Sequence, residues 1–160
     1  RVIRSKTAAL FAAASQIGAV VADRPQKEEE ALHSYGMNLG VAFQLVDDAI
    51  DYASDSATMG KGVGDDFRDG KITLPVILAY ARGDEAARKF WKDAIEGRRD
   101  SDADLAEAIE RMRETRAVDD TLARARHYGQ RAMDSISGFP ASAAKDAMIE
   151  AVEFAVARAF

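Results

Sequence analysis

From Asp23-Arg24-Pro25 onward the chain keeps a helical pattern without a break from about residue 26 to about residue 52, roughly 40 Å at 1.5 Å per residue. That one element sets the scale of the fold. Two interior glycines, Gly36 and Gly40, stand four apart in it. Each costs up to about 1 kcal/mol against alanine in a helix interior, so the pair points to close helix packing or to room for a ligand.

The rest of the chain is punctuated as helices. Asp23 reads as the N-cap of the long helix with Pro25 near its first turn, and Thr73 caps a helix entered through Leu74-Pro75 and stopped by Gly83. Asp84 opens the next helix, which carries Phe90-Trp91 as core and ends near Gly97. Ser101 followed by Asp104 resembles a capping box, with Leu105, Ile109 and Met112 on one face beyond it. Val118, Leu122 and Ala125 mark a further helix, closed before Gly138-Phe139-Pro140, and Met148, Val152 and Ala155 mark the last. Alanine, which loses no side-chain entropy in a helix, fills 32 of 160 positions against 3 prolines. No segment reads as a strand. The expectation is an all-α single domain over residues 1–160 with about seven helices.

The longest uncharged run, residues 7–22, is too short to span a bilayer and reads as a buried helix. The opening, Arg1-Val2-Ile3-Arg4, has no signal-peptide pattern and begins inside a helical pattern without Met, as a piece of a longer protein would. No transmembrane segment is expected. Zero cysteines remove disulfides, Cys-ligated zinc and a thiol nucleophile, and fit a reducing cytoplasm. A net charge of −5 argues against a nucleic-acid surface. The arginines at 111, 113, 116, 124, 126 and 131 alternate with Glu110, Glu114, Asp119 and Asp120, as on a solvated helix face. Asp120 with Arg124 reads as an i, i+4 ion pair. His33 and His127 have no metal-ligand spacing and take ordinary surface or packing roles.

Chemistry concentrates at the end of the long helix. Asp47 and Asp51 are four apart and share a face, with Asp48 about 100° round. Three acids within five positions repel one another, and the helix C-terminus disfavours negative charge. A bound cation offsets both costs, and carboxylates without His or Cys suit Mg²⁺ shared with a phosphate-bearing substrate. The alternative is a solvated acidic face, but Leu45, Val46, Ala49 and Ile50 make this helix otherwise apolar. Residues 54–71 then abandon periodicity: Gly60, Gly62, Gly64 and Gly70 alternate with charged side chains, including Lys61 and Lys71. Such a stretch reads as a functional loop or lid whose cations close over a diphosphate. A hairpin of the first two helices would also bring Lys6-Thr7 toward Asp47, since both lie far from the Asp23 turn.

The run from Gly40 through Phe43-Gln44-Leu45-Val46-Asp47-Asp48-Ala49-Ile50-Asp51-Tyr52, followed by Gly60-Lys61-Gly62 and Gly64-Asp65-Asp66-Phe67-Arg68-Asp69-Gly70-Lys71-Ile72-Thr73-Leu74-Pro75, resembles the trans-polyprenyl diphosphate synthase family, with Lys6-Thr7 matching its KT motif. Within the family it is most similar to the bacterial long-chain type, the octaprenyl and decaprenyl synthases that serve quinone side chains. The likeness runs from end to end of this chain but spans only the family's C-terminal half.

What the resemblance implies is an isoprenoid-synthase-type helical bundle, here its C-terminal portion, in a cytoplasmic, homodimeric, Mg²⁺-dependent prenyltransferase. Asp47, Asp48 and Asp51 resemble the second aspartate-rich motif that holds Mg²⁺, with Asp65 assisting through water. Lys6, Lys61 and Lys71 match lysines that bind the leaving diphosphate. Thr7 and Gln44, with Lys6, match residues that present dipoles to the allylic cation and the diphosphate. The implied reaction is ionisation of an allylic diphosphate, attack by the double bond of isopentenyl diphosphate and loss of a proton, which needs leaving-group stabilisation rather than a side-chain nucleophile. The family's first aspartate-rich motif and the arginine pair after it have no counterpart in this chain, so the 160 residues alone are expected to be inactive. A non-catalytic subunit of a heteromeric synthase and a class I terpene cyclase are the alternatives.

Overall fold

The computed structural model describes residues 3–52 and 64–158. Among them the regular structure is helical, with no strand. A π-helical turn, Arg4–Ala8, leads into α1 (Ala9–Val21). There follow α2 (Gln26–Ile50), α3 (Asp65–Arg68), α4 (Leu74–Arg82), α5 (Glu85–Ile95), α6 (Asp102–Glu114), α7 (Ala117–Ser135) and α8 (Ala143–Ala157). The extra helix relative to the expected number is α3, four residues inside the stretch read as irregular; Gly60, Lys61 and Gly62 of that stretch lie outside the described residues. No helix among the described residues is long and apolar enough to cross a membrane.

Local chemistry explains most helix ends. Ser101 accepts the Asp104 amide at 3.2 Å while Asp104 Oδ2 accepts the Ser101 amide at 3.3 Å, completing the capping box of α6. Asp84 Oδ1 accepts the Ala87 amide at 2.8 Å and opens α5. Ser142 does the same for α8 through the Lys145 amide. Asp23, in the run expected to end the first helix and start the second, closes α1 and is not the N-cap of α2. It sits in the left-handed region at φ 49°, with its amide on Val20 O and the Arg24 amide on Ala19 O. That pair of reversed hydrogen bonds is a Schellman ending, and Asp is one of the few residues with a Cβ that tolerates it. The Pro25 carbonyl then accepts the Glu28 amide at 2.8 Å and begins α2, so Pro25 precedes the helix rather than starting inside it.

The described residues divide into two compact units, Arg1–Val46 with Ala123–Phe160, and Asp47–Leu122. In the first, Tyr35, Leu39, Ala132, Ile136, Val152 and Ala155 form a core backed by Phe11, Phe43 and Met148. The glycine pair resolves as close packing. A Cβ on Gly36 would stand 2.3 Å from Phe11 O, and one on Gly40 would stand 2.6 Å from Ala8 Cα, so α1 and its entry turn pass α2 nearly backbone to backbone. Only Ala12 and Ala19 of α1 are buried, whereas Leu10, Ile17, Val20 and Val21 are exposed, so the helix is not buried on all sides as its composition suggested. In the second unit Tyr52, Phe67, Val76, Phe90, Trp91, Leu105 and Met112 form the core. Trp91 meets the Phe90 ring edge-on at 5.2 Å between centroids. Arg82 pairs with Asp120 across this unit, a contact between α4 and α7 that spacing along the chain did not suggest.

Candidate functional site

In the second unit a cavity of about 520 Å³ is lined by Asp47, Ile50 and Asp51 from the end of α2, by Asp65, Asp66 and Arg68 of α3, and by Asp69 and Lys71 beyond it. Two buried aromatics fix these walls. Tyr52 follows Asp51, Phe67 follows Asp66, and both insert into the same apolar core. Burial on one side of each segment leaves the neighbouring carboxylates on the other, facing the cavity.

The segments are stitched directly as well. Asp51 O accepts the Gly64 amide at 2.9 Å, and Asp51 Oδ2 accepts the Asp66 amide at 3.0 Å. Gly64, the residue before α3, has no side chain to cap it and stands at φ 82°, so the Asp51 carboxylate takes over that role from a distance in sequence. Burial raises Asp51 to about 6, the nearby Asp66 charge adds to the shift, and the hydrogen bond from the Asp66 amide opposes it. A carboxyl held that high marks a place short of positive charge. Lys71 supplies some: its Nζ lies 2.7 Å from Asp66 Oδ1 and 3.0 Å from Asp69 Oδ2, and these bonds raise it above the ordinary lysine value. Arg68 reaches Asp102 at 2.7 Å.

Of the acids expected as metal ligands, Asp47, Asp51 and Asp65 line the cavity. Asp48 does not; it is buried, 5% exposed. Among the described residues no three acidic or histidine side chains converge closely enough to hold a cation between them. In the first unit, the Thr7 hydroxyl donates to Gln44 Oε1 at 2.8 Å, so the hairpin of α1 and α2 brings Thr7 to Gln44. Thr7 stands in the π-helical turn, a distortion that often marks functional sites. The Lys6 side chain and Lys61 lie outside what is described. Asp66 and Asp69 were not singled out from sequence. Their signal was available, since Asp65-Asp66…Asp69 repeats the i, i+1, i+4 spacing of Asp47-Asp48…Asp51.

The sequence pattern of the Polyprenyl synthetase family matches residues 1–112. The chain belongs to the polyprenyl synthetase family. Octaprenyl diphosphate synthase of Haemophilus influenzae is 41% identical over 160 residues, which cover 99% of this chain and 48% of that protein. The Escherichia coli enzyme of the same name is 37% identical over 99% of this chain and 49% of its own length. A polyprenyl synthase from Caulobacter crescentus, solved with calcium and isoprenyl diphosphate, superposes with a TM-score of 0.91 at 46% identity, covering 99% of this chain and 48% of that one. A decaprenyl diphosphate synthase from Rhodobacter capsulatus superposes at 0.92 with 40% identity, over 99% of this chain and 49% of its own. This polyprenyl synthetase chain therefore spans about half the length of the curated relatives it matches, and its fold is that of the polyprenyl synthases.

Proposed function

We propose that the protein is a Mg²⁺-dependent prenyltransferase that condenses isopentenyl diphosphate with an allylic diphosphate to make a long-chain all-trans polyprenyl diphosphate, a precursor of quinone side chains. The observation that carries this reading is the cavity in which the α2 and α3 carboxylates meet Lys71, in a chain of this family. The donors suit Mg²⁺: they are all carboxylate oxygens, and Asp51 is held above its ordinary value by burial and by the neighbouring Asp66 charge, a cost that a bound cation would offset. Asp47 and Asp51, with Asp65, are the groups that would hold the ion jointly with the diphosphate oxygens, since the side chains alone do not close around a cation. Bound there, Mg²⁺ supplies charge neutralisation for the diphosphate.

The chain's own groups do the rest. Lys71, paired with Asp66 and Asp69, is a cation at the cavity wall available to diphosphate oxygens once those acids have another partner. Lys6 and Lys61 have the same role on the strength of the family resemblance. Thr7 fixes the Gln44 amide by its hydrogen bond, so that the two present an oriented dipole to developing charge rather than a reactive nucleophile. The protein acts in the cytoplasm as a homodimer, and the exposed Leu10, Ile17 and Val21 of α1 offer apolar surface for further contacts.

The test is to incubate the family-length protein with both diphosphates and Mg²⁺ and to identify the products. An elongated all-trans diphosphate is expected, whereas a cyclised hydrocarbon free of diphosphate would refute the reading. Asp47→Ala should lower turnover by at least about a hundredfold, since a metal contact at a developing charge contributes several kcal/mol. The 160 residues alone should show no sustained turnover, because they carry one of the two aspartate motifs that the resemblance calls for.

A further inference from the structure

Phe43 stands one position before Gln44, the α2 residue that accepts the Thr7 hydroxyl at 2.8 Å. Two other elements of the first unit hold its ring. Phe11 of α1 meets it with 5.6 Å between centroids at a 36° tilt. The Arg158 guanidinium, at the end of α8, lies over it with Cζ 4.5 Å from the ring centroid. A guanidinium within about 6 Å of an aromatic face is attracted to the negative π cloud of the ring, more strongly where water is partly excluded. Both Arg158 and Phe43 are half-buried.

The chain brings Arg158 to this place from the far end of the sequence, outside residues 1–112 that match the family pattern. It follows buried Ala155 by three positions, a spacing that puts neighbours on one side of a helix. Ala155 is part of the apolar core against which Phe43 packs. A cation just past the last turn of α8 also meets the favourable end of the helix dipole. The α1 side of the arrangement is set by close packing: a Cβ on Gly40 would stand 3.1 Å from Phe11 Cβ. Thr7 itself belongs to a π-helical turn rather than to a regular helix. The register of the Thr7–Gln44 pair therefore depends on how firmly α2 is held at Phe43.

We propose that Arg158 is a positioning residue for the prenyl transfer: its grip on the Phe43 ring fixes where the Gln44 amide and the Thr7 hydroxyl stand. Neighbouring positions of a helix share one rigid backbone, so a ring pinned by α1 and α8 limits both rotation and sliding of α2 at Gln44. An oriented dipole serves a developing charge only where its geometry is set beforehand, and a small displacement weakens it. The inference rests on the prenyltransferase reading and on Thr7 and Gln44 as its dipole pair. Arg158 acts in it through Phe43, not by touching a diphosphate.

The test is steady-state kinetics of the family-length protein with both diphosphates and Mg²⁺, comparing Arg158→Met, Phe43→Leu and the double variant. Methionine keeps the unbranched stem of Arg158 without its charge. Arg158→Met should lower kcat about three- to tenfold and leave KM for both diphosphates within about twofold. Arg158→Lys, which keeps a cation, should recover part of the loss. In the Phe43→Leu background Arg158→Met should cost no further kcat, because the ring it acts through is gone. Independent, multiplying losses in the double variant would overturn the proposal. So would a raised KM at unchanged kcat, which would make Arg158 a substrate ligand, or a lower melting temperature at unchanged kcat, which would make it a packing residue. A wild-type protein that makes no elongated diphosphate overturns the prenyltransferase reading and this inference with it. An active wild type whose kcat is matched by Arg158→Met overturns this inference alone.

Discussion

Asp51 performs two tasks that pull against each other. Its carboxylate caps α3 by accepting the Asp66 amide, yet burial and the Asp66 charge hold it at about 6 in the folded chain against an ordinary 3.8. A raised carboxyl binds its proton more tightly folded than unfolded, so protonation favours the fold. The metal-free protein should therefore gain stability as the pH falls from 7 through 6 toward 4, and lose it again as the pH rises through 6. Asp51→Asn should flatten that dependence and stabilise the neutral-pH protein by about 1–2 kcal/mol, the half-exposure of the site reducing the full electrostatic value. Urea unfolding of both proteins at pH 5 and pH 7.5, with a chelator present, measures it; curves that move in parallel would count against the burial of charge as the cause. The same substitution should weaken cation binding, as expected of a residue kept for function at a cost to the fold.

At the scale of elements, the approach of α1 to α2 rests on glycines that have no room for a Cβ. Gly36→Ala should cost about 1–3 kcal/mol, since the added methyl would meet the Phe11 carbonyl and force the helices apart. Gly18, inside α1 with nothing within 4 Å of its missing Cβ, should respond in the opposite sense, Gly18→Ala gaining up to about 1 kcal/mol. Chemical denaturation of the pair separates packing from propensity. The same contrast explains which elements could be read in advance. The capping box at Ser101-Asp104 and the Asp84 cap were legible because both partners lie within one turn of each other. Asp23 was misassigned because the same residue type serves as an N-cap and as a left-handed helix ending, and only the fold decides between them. The four residues of α3 are too few to show a period. The pairing of Asp120 with Arg82 escaped the sequence because tertiary packing brings in a neighbour that spacing along one helix does not reveal. In the cavity, Asp47, Asp51, Asp65 and Lys71 stood out by spacing and company, whereas the burial of Asp48 followed from which side of α2 the core occupies.

At the scale of the whole molecule, a net charge of −5 is unevenly spread: five aspartates face one cavity against Arg68 and Lys71. A divalent cation should therefore act as a stabiliser. Mg²⁺ at ten times its dissociation constant should raise the melting temperature by about 4 °C, by linkage to the folded state. Sodium chloride at equal ionic strength should do less, and Asp47→Ala should remove most of the difference. Scanning calorimetry with each salt distinguishes a specific site from general screening. The division of the chain into two units has a consequence of another kind. Both boundaries, at Val46–Asp47 and at Leu122–Ala123, fall inside continuous helices, α2 and α7. Proteases require an extended stretch of several residues in their clefts, and neither junction offers one, so limited digestion should not cut the protein at these boundaries into its two cores.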